Sequence, residues 1–188
     1  MIEEIEEFNK YIAIEGYRDA KIDDPEEFLN SVRRKTKPAE VQFFNARLVA
    51  GKDHLYFAAL NALTAFKSGV NRSRSLAVET LLYASAQRQI KHAVKMIGIN
   101  PSSTEVAVLI VAMTRQQADT AVKAVSELMP GQRDECVLEL TDEKFADLQK
   151  FFGISNMELE SKLATKGLRK EALVDLVIEQ VALLTTEH

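Results

Sequence analysis

Apolar residues change their spacing several times along the 188 residues, and each change predicts an element. YIAIEGYR (11–18) alternates apolar and polar side chains, the two-residue period of a strand with one buried face. Asp24 followed by Pro25 then opens a helix through Phe28, Leu29 and Val32, ending in the basic run Arg33, Arg34, Lys35, Lys37. VQFFNARLVA (41–50) reads as the next strand, closed by Gly51. Asp53 is placed to cap a helix whose face of Leu55, Ala58, Ala59, Ala62, Leu63 and Phe66 runs to Gly69.

Further on, EVAVLIVAM (105–113) is the most apolar and β-branched stretch, as expected of an inner strand covered on both faces. Thr114 with Gln117 forms a capping box for a helix carrying Ala118, Ala121, Val122, Val125 and Leu128. CVLEL (136–140) predicts a short strand in which Cys136 is a small core residue. Thr141 starts a helix that Gly153 ends, and Ser155 with Glu158 forms another capping box. After Gly167 a last helix is expected from about residue 168 to 185, with Leu173, Leu176, Val177, Val181 and Leu184 on one face.

The stretch NRSRSLAVETLLYASAQRQIKHAVKMIGI (71–99) organises the reading. Asn71, Ser73 and Ser75 are three candidate N-caps in five residues, and Gly98 is placed to let the chain leave through a left-handed conformation. No Pro or Gly interrupts the span between, which predicts one helix of about six turns. Val78, Leu82, Ala86, Ile90, Ala93 and Ile97 share one face, while Arg88, Lys91, His92 and Lys95 share the opposite one. Glu79 falls on the apolar face. A carboxylate buried there needs a cation or several donors, with Arg47 or Arg74 as candidates; the alternative is that it reaches solvent or the helix dipole.

The predicted order is β-α-β-α-α-β-α-β and then helices: an α+β fold, a single sheet packed with helices and followed by a helical C-terminal segment. No repeat or linker divides it, so residues 1–188 read as one domain, with 1–10 an acidic N-terminal extension and 154–188 the helical C-terminal segment. A chain of this length buries about 70% of its unfolded surface. Its longest purely apolar run has eight residues (106–113), against about 20 for a membrane-spanning helix. The opening carries Glu3, Glu4, Glu6 and Glu7, the opposite of a targeting peptide, and Cys136 is the only cysteine. A cytoplasmic location is expected.

The formal charge of −4 hides an asymmetry. Residues 1–40 hold 7 Lys/Arg and 11 Asp/Glu, residues 41–100 hold 8 and 2, and residues 101–188 hold 9 and 15. A basic segment between acidic flanks offers a polyanion a local patch. Its members are Arg88, Lys91 and Lys95, extended by Lys67, Arg72 and Arg74 near the preceding turn. They would bind phosphates by salt-dependent counterion release, or form no more than a solvated helix face. No aromatic is interleaved for base stacking; Tyr83, Tyr56 and Phe44 would serve only if the fold brings them there. The basic run at 33–37 is read first as cations at a helix C-terminus, with RNA contact as the alternative. In the last helix Val177, Ile178, Val181, Leu183 and Leu184 offer more apolar surface than one face needs, either core packing or a protein interface.

Catalytic chemistry is not legible. His54, His92 and His188 have no Cys, His or acidic partner at metal-ligand spacing, and no nucleophile elbow, dinucleotide fingerprint or P-loop occurs. No catalytic residue, metal site or cofactor is expected, nor a small-molecule substrate or membrane partner.

ETLLYASAQRQI (79–90), with the preceding FFNARLVAGKDHLYFAALNALTAFKSG (43–69) and the later VIEQVALL (177–184), resembles the small kinase-binding subunit of the KEOPS complex, the family of the PRPK-binding protein and its archaeal counterparts. The likeness is strongest over 41–99. Two departures stand out: Ala86 occupies a position associated with glycine in that family, and the acidic opening is longer than usual. The resemblance implies a non-catalytic adaptor in threonylcarbamoyl modification of adenosine 37 of tRNA. Such a subunit binds the small atypical kinase/ATPase of the complex and recruits tRNA, including its CCA end. A protein-only regulator of the kinase, without RNA binding, is the alternative.

Overall fold

Strand β4 (Val106–Ala112) holds the middle of the molecule, because VAVLIVA is buried along its whole length. Each buried branched side chain there contributes about 1.5–3 kcal/mol by leaving water. In the computed structural model, which describes residues 2–166 and 168–185, β4 pairs antiparallel with β2 (Lys10–Arg18) on one side and β3 (Glu40–Asn45) on the other. Of the acidic opening, Ile2–Ile5 forms strand β1 on the outer edge of β2, with Ile2 opposite Ala13 and Ile5 opposite Lys10. Farther along that edge the two-residue β5 (Gln132–Arg133) pairs with Tyr17 and Arg18. The sheet order is therefore β1-β2-β4-β3 with β5 beside β2, all antiparallel.

Alternation along the strands assigns each face of the sheet its own core. Ile12, Ile14, Phe44, Leu109 and Val111 meet helices α2 (Lys52–Ser68), α3 (Leu76–Ala84) and α4 (Ile90–Ile97). Ala13, Tyr17, Val41, Phe43, Val108 and Ile110 meet α1 (Pro25–Thr36) and α5 (Arg115–Leu128). Helices α6 (Asp142–Phe151), α7 (Asn156–Lys166) and α8 (Arg169–Leu183) close a further cluster around Leu148, Phe152, Leu159, Leu173 and Val177. This is the expected α+β architecture, with a single sheet and a helical C-terminal segment. No helix among the described residues is long and apolar enough to cross a membrane. Gly167 and His188 lie outside the described residues.

The caps follow the sequence closely. Asp24 accepts from the Glu27 N–H at 2.9 Å, Thr114 from Gln117 at 3.2 Å and Thr141 from Lys144 at 3.3 Å, each satisfying an orphan donor of its helix. Ser155 and Glu158 cap each other. Helix α2 starts one residue before Asp53, with Gly51 in the cap position.

The expected strand at 136–140 is instead a 3-10 turn, Glu135–Leu138. The edge of β2 explains the difference. Gly16 O accepts the Asp134 N–H at 2.8 Å, and the turn comes so close that a Cβ on Gly16 would lie 2.5 Å from Asp134 O. Val137 and Leu138 turn inward there, leaving Cys136 exposed rather than in the core. Lys144 fastens the turn from behind, its buried Nζ donating to Val137 O at 2.8 Å and Glu139 O at 3.2 Å. Burial pushes that ammonium down to about 8.

Candidate nucleic-acid interface

The predicted six-turn helix is two helices. Helix α3 ends at Ala84, and Ala86 takes the left-handed conformation at φ 50°. The Ala86 N–H donates to Tyr83 O at 2.9 Å and the Gln87 N–H to Leu82 O at 3.0 Å, the paired bonds of a Schellman cap. Glycine usually fills this position, and with alanine there the sequence carries no mark of the break. Gly98, the expected left-handed exit, is extended instead (φ −66°) and bridges to Phe44. It has a separate reason to be glycine: a Cβ there would lie 2.4 Å from Val94 O.

The break changes which residues face water. Ala93 and Ile97 remain buried, but Ile90, expected on the core face, is 41% exposed beside Val94 at 48%. Helix α4 therefore shows solvent two large aliphatics, one turn apart, with Lys91, His92 and Lys95 among them.

The start of α3 is held by two carboxylates of the chain itself. Ser75 is the N-cap, and Glu79, fully buried, reaches back along the helix. Its Oε2 accepts the N–H groups of Arg72 at 3.0 Å and Ser73 at 2.6 Å, and its Oε1 has no hydrogen-bond partner among the described residues. Glu40 Oε2 accepts the Ser75 hydroxyl at 3.1 Å and the Ala77 N–H at 3.3 Å. Backbone donors thus hold Glu79, in place of the expected arginine. Arg47 is engaged with Asp147 at 3.0 Å, and Arg74 points to solvent. With Ser73 drawn inward, Arg72 and Arg74 on either side of it are exposed.

The six expected RNA-contacting cations divide into two groups. Arg72 and Arg74 lie just before α3 and Lys67 in the last turn of α2, while Arg88, Lys91 and Lys95 lie in the α3–α4 connection and on α4. The nine residues of α3 put about 13 Å between Arg74 and the α3–α4 connection. Lys67 is partly engaged, 3.6 Å from Glu7 and above the Phe8 ring, and Arg88 also has interactions within the chain. Arg72, Arg74, Lys91 and Lys95 are exposed with no carboxylate paired to them among the described residues. Part of the basic run at 33–37 joins the first group. Arg33 and Lys37, from the end of α1, line a cleft of about 450 Å³ together with Ser75 and Val78 of α3. The aromatics considered for base stacking do not reach these cations. Tyr83 and Phe44 are buried, and Tyr56 lines a separate cavity with Ile12, Ile14 and Lys52.

The end of α3 is tied to the start of α2 by His54, which is fully buried. Its Nδ1 accepts the Ala50 N–H at 3.1 Å, so Nε2 carries the proton and donates to Ala84 O at 2.8 Å. Burial pushes this imidazole down to about 4, keeping it neutral and structural.

The apolar set of the last helix is narrowed by burial. Val177, Val181 and Leu184 are core, packed inside this chain, and cannot present a partner surface. Leu183 is 54% exposed and Ile178 partly so. The sequence overcounted because one helical face met both α2 and the α6–α7 cluster. Thr185 Oγ1 lies 3.5 Å from Asn61 Oδ1, bringing the end of α8 beside the turn of α2 that exposes Phe57.

A family model described as kinase binding protein CGI-121 matches residues 20–185. The regulatory protein Cgi121 of Methanocaldococcus jannaschii is 30% identical over 135 residues, covering 72% of this chain and 83% of that protein.

Proposed function

The chain belongs to the CGI-121 family of kinase-binding proteins, and on that premise we propose that it is the non-catalytic adaptor of a KEOPS-type complex in the cytoplasm. It binds the small atypical kinase/ATPase of the complex and recruits tRNA, including the CCA end, for threonylcarbamoyl modification. The observation that carries the RNA part is the exposure of Arg72 and Arg74 before α3 and of Lys91 and Lys95 on α4, with no carboxylate paired to them among the described residues. Cations left free in this way bind phosphates by releasing counterions, a sequence-blind affinity that weakens as salt rises. For the kinase, the apolar contacts fall to Leu183, Ile178 and Phe57 on the α2–α8 side, since burial removes the rest.

Exchanging Lys91→Glu together with Lys95→Glu tests the RNA part. The reading requires weaker tRNA binding and a flatter dependence of log K on log salt; unchanged values would refute it. A protein-only regulator of the kinase is favoured by one observation, the burial of Tyr83 and Phe44 away from the cations. In that case Ile90 and Val94 serve a protein contact, and the chain binds kinase but not RNA.

A further inference from the structure

Helix α1 ends in Arg33, Arg34 and Lys35, with Lys37 immediately after it, and all four are exposed. Partial negative charge at a helix C-terminus is enough to place cations there. The fold then adds something the helix does not require. After a turn through Pro38 and Ala39, strand β3 begins at Glu40, which grips the first turn of α3 through Ser75 and Ala77. Two basic segments about 40 residues apart in sequence are thereby brought to one cleft. Arg33 and Lys37 line it from α1, Ser75 and Val78 from α3, and Arg74 is the exposed residue next to Ser75. Glu40 is the acidic group lining the cleft, and it already receives two donors at the α3 N-terminus, which offset its charge.

We propose that this cleft is a second anchor for the RNA phosphate backbone, separated from Lys91 and Lys95 by the length of α3. The proposal rests on the RNA reading above. An arginine fork and a lysine ammonium in an open cleft suit phosphate oxygens, which accept bidentate and point-charge contacts alike. The two anchors set the path of the strand along α3, something neither achieves alone.

The test is the double exchange Arg33→Gln with Lys37→Gln in the full chain, set against Arg115→Gln with Lys123→Gln on α5. The control removes the same charge from two exposed cations elsewhere. Binding of labelled tRNA is followed by anisotropy across a salt series, with an unchanged thermal midpoint confirming the fold. Losing two single-strand contacts should flatten the slope of log K against log salt by about 1.4 and weaken binding about 25-fold at 0.1 M salt, relative to the control. A cleft variant that matches the control overturns the proposal. So does one that binds tRNA normally but loses the kinase, since the cleft would then be a protein contact. If the wild-type chain binds no RNA, the underlying reading falls and the cleft with it. If Lys91→Glu with Lys95→Glu weakens binding while the cleft variant matches the control, only the cleft is wrong.

Discussion

Replacing Ala86 by glycine should stabilise this protein, the reverse of the usual effect of glycine near a helix. Ala86 sits at φ 50° between α3 and α4. An L-residue with a Cβ gives up about 1–2 kcal/mol in that conformation, and glycine recovers it. Against the gain, glycine loosens the unfolded chain at a cost of about 0.4–1 kcal/mol. A small further loss comes from the methyl group, which is partly buried against the C-terminal helical cluster. The balance favours Ala86→Gly by about 0.5–1 kcal/mol, a rise in thermal midpoint of about 1–4 °C for a domain of this size. If residues 71–99 instead formed the uninterrupted helix that the sequence pattern predicts, the same exchange would destabilise by about 1 kcal/mol. The sign therefore decides between the two geometries. Urea unfolding with an unchanged m-value is the assay, and Ala86→Val is the companion, since a branched side chain is a poor fit at positive φ and should destabilise. A loss of stability in Ala86→Gly would refute the break.

Glu79→Gln should cost about 1–3 kcal/mol in urea unfolding, because the Arg72 and Ser73 N–H groups lose a charged acceptor in a fully buried place; a change within 0.5 kcal/mol, about the scatter of surface substitutions, would contradict that role. His54 is held near 4 when folded against an ordinary 6.5, so between those values the unfolded chain binds a proton that the folded one refuses. Stability should accordingly fall by about 3 kcal/mol as pH drops from 6.5 to 4, then level off, and His54→Gln should remove that part of the slope; parallel pH profiles for the two proteins would count against it. Leu183→Glu should weaken capture of the kinase with little change in thermal midpoint, whereas Val181→Glu, at a fully buried position, should unfold the chain; a Leu183→Glu protein that binds kinase as well as wild type would move the interface elsewhere.

Where local chemistry alone sets an element, the sequence announces it. Strand β2, though buried on both faces rather than the one its period-two pattern predicts, the all-apolar β4, and the caps at Asp24, Thr114, Thr141 and Ser155 all lie where the pattern puts them. What was illegible depends on contacts between distant segments. β1 is four residues with two glutamates in the middle, and it is a strand only because the edge of β2 is there to receive it. The 3-10 turn at Glu135–Leu138 follows from the bare backbone of Gly16. The break at Ala86 lacks the glycine that marks such a cap, so the pattern predicts one basic ridge where the fold has two groups. Their cations were correctly picked out as exposed, while the cleft partners Arg33 and Lys37 carried a sufficient local explanation at the end of α1. In α8, helical spacing could not say that Val177, Val181 and Leu184 are all consumed inside the chain.

Fluorescence anisotropy of labelled tRNA, intact and lacking its terminal CCA, titrated with this chain at two salt concentrations, addresses the adaptor reading most directly. The account predicts that intact tRNA binds, that removing the CCA weakens binding strongly, and that raising salt weakens what remains. Absence of binding, or equal weak binding to both RNAs and to any other polyanion, would contradict RNA recruitment and leave a protein-only regulator of the kinase.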